Sequence, residues 1–206
     1  MKLYYAETLN PRKACAVARH LEAPVEFVRV DLGKGEHRSP AFMALNPNAK
    51  VPVLEIDGES LWESNAIMCR LAQAMESDLW PADARQIEVL RWLCWDMQHF
   101  SKYAGNLYFE YIIKPIFDIG PPDGPAVEEA TGYVRRYAAV LNDHLRGRRW
   151  LVGDSPTVAD FAVAVTLPYA EQAHIPLKEF PEVERWHDRL GEMPAWRDPF
   201  GTAAAA

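Results

Sequence analysis

The stretch NPNAKVPVLEIDGESLWESNAI, residues 46–67, decides how the rest of the chain is read. NPNAK is a turn, because Asn and Pro each favour turn geometry. VLEI at 53–56 and ESLW at 59–62 flank Asp57-Gly58. An Asp-Gly pair supplies the positive φ angles of a tight hairpin, so the two runs are paired strands. Ser64 then reads as the cap of a helix that continues as NAIMCRLAQAM.

Working outward, KLYYA at 2–6 reads as a short strand and VEFVRVD at 25–31, with its alternation, as a second. Between them PRKACAVARHLEA puts Ala14, Val17, Ala18 and Leu21 on one helical face. Pro11 at the first turn, with Asn10 before it as a cap, opens that helix. Ser39-Pro40 starts a short helix, AFMALN. The order is β-α-β-α-β-β-α within residues 1–76. Residues 76–84, ESDLWPADA, are polar, contain Pro81 and read as a linker. Beyond them the pattern predicts only helices, at 85–114, 125–147, 156–173 and 181–192, with a Pro- and Gly-rich break, DIGPPDGP, after the first. Thr157-Val-Ala-Asp160 is a capping box whose task is folding. The expected organisation is an α/β domain at 1–76 and an all-α domain at 85–200.

Composition narrows the function. The chain has 206 residues, 49% apolar and 25% charged, which is ordinary globular material. Its net charge of −7, without a basic run interleaved with aromatics, argues against nucleic-acid binding, which needs clustered Lys and Arg. No apolar run approaches the roughly 20 residues that span a bilayer, and the N-terminus does not read as a signal peptide. Cys15, Cys69 and Cys94 are odd in number and widely spaced. They fit a reducing, cytoplasmic compartment better than a disulfide framework or a zinc site. No Gly-rich phosphate loop, metal-spaced cluster or serine nucleophile elbow is present, so no metal is expected.

A Val-Pro before a hairpin, and a Glu-Ser pair opening the next helix 11 residues later, resemble the cytosolic glutathione transferase family. The resemblance runs over nearly the whole chain. It implies a thioredoxin-like first domain that grips glutathione as co-substrate, and a helical domain that shapes a hydrophobic pocket. It also implies a homodimer. By the same resemblance Pro52 follows a cis peptide, and Val51 presents its backbone to the cysteinyl residue like an added strand. Ser64 and its helix N-terminus suit the γ-glutamyl carboxylate, and Glu63 the γ-glutamyl ammonium. Lys50 could pair with the glycyl carboxylate, with His37 or Arg38 as alternatives.

Catalysis in such a protein needs the thiolate. A free thiol has a pKa of about 8.5, and lowering it by one unit needs about 1.4 kcal/mol of differential stabilisation. The donors in AETLNPRK, residues 6–13, are Thr8, Asn10 and Arg12. Thr8-x-Asn10, followed by VDLGKG at 30–35, resembles the bacterial Nu-like group, which often reduces disulfides through two bound glutathiones. Here the helix opens with Pro11-Arg12, where a glycine is expected, and proline removes one backbone donor from that turn. Tyr4 or Tyr5 is an alternative donor. Cys15 lies past the loop where a nucleophile belongs and reads as a small buried residue.

On the helix expected at 85–114, Trp92, Trp95 and His99 are spaced by 3 and 4 and share a face, with Tyr103 beyond. Trp95, His99 and Tyr103 are the candidates for the pocket that takes a small hydrophobic electrophile, although aromatics at this spacing also make cores and dimer contacts. The expected activity is glutathione transfer to an electrophile, or disulfide or peroxide reduction. The alternatives are a non-catalytic glutathione- or partner-binding module of the same fold, and a glutathione-dependent isomerase.

Overall fold

The computed structural model describes residues 1–201. Two compact units divide them: Met1–Trp80 together with the chain from Gly191 onward, and Pro81–Leu190.

The first unit is built on a four-stranded sheet in the order β2-β1-β3-β4. Strands β1 (Lys2–Tyr5) and β2 (Glu26–Arg29) run parallel, joined by helix α1 (Leu9–His20). β3 (Val53–Ile56) and β4 (Glu59–Trp62) form the hairpin, and Asp57 and Gly58 have φ of 54° and 81°, as its tight turn requires. Strand alternation sorts the faces. Leu3 opposite Leu54, both fully buried, faces one side. Tyr4 opposite Val53 faces the other. On that second side Phe42 of α2 (Pro40–Leu45) closes a cluster with Val30 and Val53, and Tyr4 meets the Phe42 ring edge-on at 6.1 Å. Ser39 caps α2 by accepting from the Phe42 N–H. Helix α3 (Ser64–Ala74) packs with α1, β3 and β4.

Helix α1 is more deeply buried than a one-faced helix. Every residue from Pro11 to Ala18 is covered, including Arg12 and Lys13. The reason lies at the other end of the chain. The short helix α10 (Pro194–Arg197) packs on α1, and the Arg12 guanidinium donates to the Trp196 carbonyl at 2.6 Å while lying 5.1 Å from the indole centroid. Residues 191–201, expected with the helical domain, therefore belong to the first compact unit.

The second unit is all helical among its described residues. The helix expected at 85–114 is broken. α4 (Arg85–Gln98) ends at His99, whose φ of −124° and ψ of −82° are not helical, and α5 (Phe100–Tyr108) follows. A π-helical turn, Phe109–Ile113, and the short α6 (Lys114–Ile116) complete the stretch. Glu110 in that turn accepts from Lys114 Nζ at 2.6 Å and from the Asp123 N–H at 2.7 Å, pinning the loop that leads to α7 (Gly124–Leu145). The helix expected at 156–173 is helical only as α8 (Val158–Val163), with a 3-10 turn at Leu167–Tyr169 beyond it. Pro168 cannot donate to the ladder and so stops it. α9 (Pro181–Gly191) carries Val183, Trp186 and Leu190 into the core.

Asp160 is the polar centre of this unit. It is fully buried and accepts from the N–H groups of Leu151 and Thr157, the Thr157 hydroxyl and Trp186 Nε1. Burial pushes its carboxyl pKa up, and the four donors pull against that shift. The capping box is present as the sequence suggested. No helix among the described residues is long and apolar enough to cross a membrane.

Candidate functional site

A cavity of about 170 Å³ opens in the first unit, lined by Asn10, Asn46, Asn48, Lys50, Val51, Pro52, Glu63 and Ser64. Two helix N-termini meet in it. α1 contributes Asn10, its second residue, and α3 contributes Ser64, its first. Their side chains touch, with Ser64 Oγ donating to Asn10 Oδ1 at 3.4 Å. Free N–H groups and aligned peptide dipoles give each helix start a partial positive charge, so the cavity suits an anion. Pro11 leaves α1 with one fewer N–H there.

The local backbone departs from the sequence expectation in two places. The α1 cap is Thr8, in an extended conformation, with Asn10 inside the first turn. Ser64 is likewise helical, and Glu63 takes the cap position with φ of 70° and ψ of 110°. A non-glycine residue at positive φ costs on the order of 1–3 kcal/mol, and such positions cluster at functional sites. Ala49, between two lining residues, also has positive φ, at 52°.

The turn before β3 is held by Asn46, which sequence reasoning treated only as a turn residue. Asn46 is 3% exposed. Its Nδ2 donates to the Lys50 carbonyl at 2.7 Å, and its Oδ1 accepts from the backbone N–H and the side-chain amide of Asn48, both at 3.0 Å. One amide thus fixes both ends of the turn and sets where Lys50 and Val51 begin. The signal was present in the residue type, since Asn bonds its own nearby backbone. The Val51–Pro52 peptide is cis, as expected.

Six of the residues singled out from sequence line this cavity: Asn10, Lys50, Val51, Pro52, Glu63 and Ser64. Thr8 is not among its lining residues; it is half-buried, two positions before Asn10. His37 and Arg38 occupy a 3-10 turn, Glu36–Arg38, and do not line it either. The alternative sulfur donors are engaged elsewhere. Tyr4 hydroxyl meets Glu55 at 3.4 Å, and burial, then the Glu55 charge, push its pKa up. Tyr5 stacks on Phe200 at 5.6 Å, and burial raises its pKa too. Arg12 turns to Trp196. Cys15 is fully buried and its thiol is pushed up to about 12 by that burial, so it is an inert core residue.

In the second unit Trp95, His99 and Tyr103 are brought together by α7, a helix expected at 125–147 whose tyrosines the sequence reading did not single out. Tyr137 of α7 stacks on His99 at 4.7 Å and lies 6.1 Å from Trp95 and 6.0 Å from Tyr103. Tyr133, one turn away, stacks on Tyr103 at 4.2 Å. All five rings are half-buried. The tier is continuous despite the break at His99, because α7 supplies rings spaced by 4 opposite α4 and α5.

Comparison with known proteins gives concordant matches. Residues 1–73 match the family model "Glutathione S-transferase, N-terminal domain", and residues 124–189 match "Glutathione S-transferase, C-terminal domain". The chain is 32% identical over 202 residues to Glutathione S-transferase 3 of Zea mays, covering 94% of this chain and 90% of that protein. It is 30% identical over 201 residues to the disulfide-bond oxidoreductase YfcG of Escherichia coli K12, covering 94% and 91%. Among solved structures, Ure2p in complex with glutathione superposes with a TM-score of 0.84 at 31% identity, covering 97% of each chain.

Proposed function

We propose that this chain, which belongs to the glutathione transferase family, binds glutathione in the Asn10–Ser64 cavity and holds its sulfur as the thiolate for attack on an electrophile. The observation that carries this reading is the gathering of Asn10, Lys50, Val51, Pro52, Glu63 and Ser64 around one cavity at two helix N-termini. Glutathione in the structure of a relative 31% identical supports the choice of ligand.

In this reading the γ-glutamyl carboxylate takes the α3 N-terminus and the Ser64 hydroxyl, and Glu63 accepts from the γ-glutamyl ammonium. Val51 pairs its backbone with the cysteinyl residue, and Lys50 meets the glycyl carboxylate. Asn10 donates to the sulfur, with Thr8 behind it at the α1 cap, and together they favour the thiolate. The thiolate then forms a carbon–sulfur bond with a small hydrophobic electrophile, whose leaving group departs with the electron pair of the broken bond. The aromatic tier of the second unit, Trp95, His99 and Tyr103 with Tyr133 and Tyr137, is a proposed pocket for a hydrophobic substrate.

A second activity has its own support. The Thr8-x-Asn10 pair of the Nu-like group and the 30% identity to a disulfide-bond oxidoreductase favour reduction of a disulfide, with two glutathiones oxidised to glutathione disulfide. The three free cysteines fit a reducing, cytoplasmic setting for either reaction. A homodimer is part of the same proposal. Ile87, Leu90 and Met97 form an exposed apolar stripe on α4, at 66%, 45% and 51% exposure.

The sulfur assignment is tested with Asn10→Ala and Thr8→Val. Both should raise the pKa of bound glutathione, the first more strongly. Affinity should change little, because the grips on the rest of the tripeptide remain. Turnover should fall at neutral pH and partly recover at alkaline pH. Unchanged thiol titration in both variants contradicts the assignment. Turnover with both a model aryl halide and a mixed disulfide, on the same samples, separates transfer from reduction.

A further inference from the structure

By local rules the start of α1 should fray. Its cap, Thr8, makes no side-chain capping bond among the described residues, no acidic residue stands in the first turn, and Pro11 brings no N–H. Arg12 and Lys13 follow instead, two cations near the end of a helix whose dipole disfavours them there. Both are nonetheless buried, at 7% and 4% exposure. A buried charge is costly unless it is held, and what holds Arg12 lies far off in the chain.

The tie is the segment that carries α10. Arg12 Nη2 donates to the Trp196 carbonyl at 2.6 Å, and the guanidinium lies 5.1 Å from the centroid of the Trp196 indole, itself buried. Two further contacts continue along the same segment. The Tyr5 ring stacks on Phe200 at 5.6 Å, and Arg19 Nε donates to the Pro199 carbonyl at 2.8 Å. All of these residues lie in the first compact unit. Tyr5 ends β1 and Arg12 belongs to the first turn of α1, so the first two ties bracket residues 6–11, the stretch that carries Thr8 and Asn10. Asn10 lines the cavity, and its bond from Ser64, at 3.4 Å, is too long to fix the amide firmly by itself.

We propose that Arg12 is a positioning residue for the thiolate: by tying the first turn of α1 to Trp196, it fixes the direction in which Asn10 presents its amide to the glutathione sulfur. The inference rests on the glutathione reading above and adds to it a strap, residues 196–200, outside the lining of the cavity. A guanidinium suits the task, because it can donate to a carbonyl and lie against an indole at once. Asn10 needs such fixing, because a donor stabilises a developing charge best when it is held in place beforehand.

Two measurements on the full chain test it. The first is amide hydrogen exchange across residues 9–14 without glutathione. Exchange there should be at least about tenfold faster in Arg12→Met than in the parent, and unchanged in α3. The second is the thiolate absorbance of bound glutathione across pH, with affinity measured alongside. In Arg12→Met the midpoint should rise by at least about half a pH unit while Kd changes by less than about threefold. Arg12→Lys, which keeps a donor and the charge, should recover part of both effects. Phe200→Leu loosens the strap and leaves the Arg12 charge in place, and it stands in if Arg12→Met does not fold. It should move both readings in the same direction by less. A parent midpoint at the free-thiol value overturns the sulfur reading and this inference with it. A lowered parent midpoint that stays equally low in Arg12→Met, with faster exchange at 9–14, makes Arg12 merely structural and overturns this inference alone. Unchanged exchange in Arg12→Met does the same. So does a raised midpoint in Arg12→Met with none in Phe200→Leu, which assigns the effect to charge rather than position.

Discussion

Ser64 meets two demands at one position. It opens α3 and it faces a cavity that would hold a carboxylate. Its type was legible in the Glu-Ser pair, but its place was not, because a cap and a first helical residue differ only in backbone angles. Those angles belong to Glu63, whose positive φ no local sequence rule favours. Asn46 was harder still, since its importance comes from bonds to Lys50 and Asn48 that exist only once the turn is closed. Ser64→Ala should weaken glutathione binding by about 1–3 kcal/mol, the effect of leaving a buried acceptor short of one donor. Calorimetric titration of the folded variant measures it, and unchanged affinity takes Ser64 out of the site.

At the scale of elements, the hairpin at 53–62, the four strands and the capping box were all readable, because each rests on contacts within a few residues. The misses differ in cause. The burial of both sides of α1 depends on a partner distant in sequence, Trp196 against Arg12, whereas the stop after Val163 follows from the nearby Pro168, which the sequence reading passed over. The capping box also reaches further than its four residues. Asp160→Ala would leave the N–H groups of Leu151 and Thr157 and the Trp186 indole without their acceptor. The expected loss is roughly 3 kcal/mol or more by urea denaturation, and less than about 1 kcal/mol would contradict it. His144, in the last turn of α7, gives a pH prediction. A helix C-terminus favours an imidazolium, but burial wins and lowers the pKa. The unfolded chain then binds the proton more readily. The His144 contribution to stability is therefore present above the unfolded value of about 6.5 and lost as pH falls through the lowered folded value. A ring-proton titration should place His144 below 6.5, and a midpoint at or above that value would contradict the burial argument.

For the whole molecule, assembly and chemistry make separate demands. Ile87, Leu90 and Met97 recur at helical spacing on the exposed face of α4, and Cys94 is exposed beside them. Sedimentation should give a dimer for the parent chain and a monomer for Leu90→Lys; a monomeric parent would remove the dimer from the proposal. The chemistry turns on whether bound glutathione is a thiolate at neutral pH. Family membership shows the architecture, whereas in the proposed reading the short stretch from Thr8 to Pro11 decides whether the sulfur of a bound glutathione is activated. The most direct measurement is the thiolate absorbance of glutathione bound to the unaltered protein, followed across pH. The expected result is a midpoint clearly below the free-thiol value of about 8.5. A midpoint that stays at the free value, with glutathione demonstrably bound, would contradict the catalytic reading and leave a glutathione-binding module in its place.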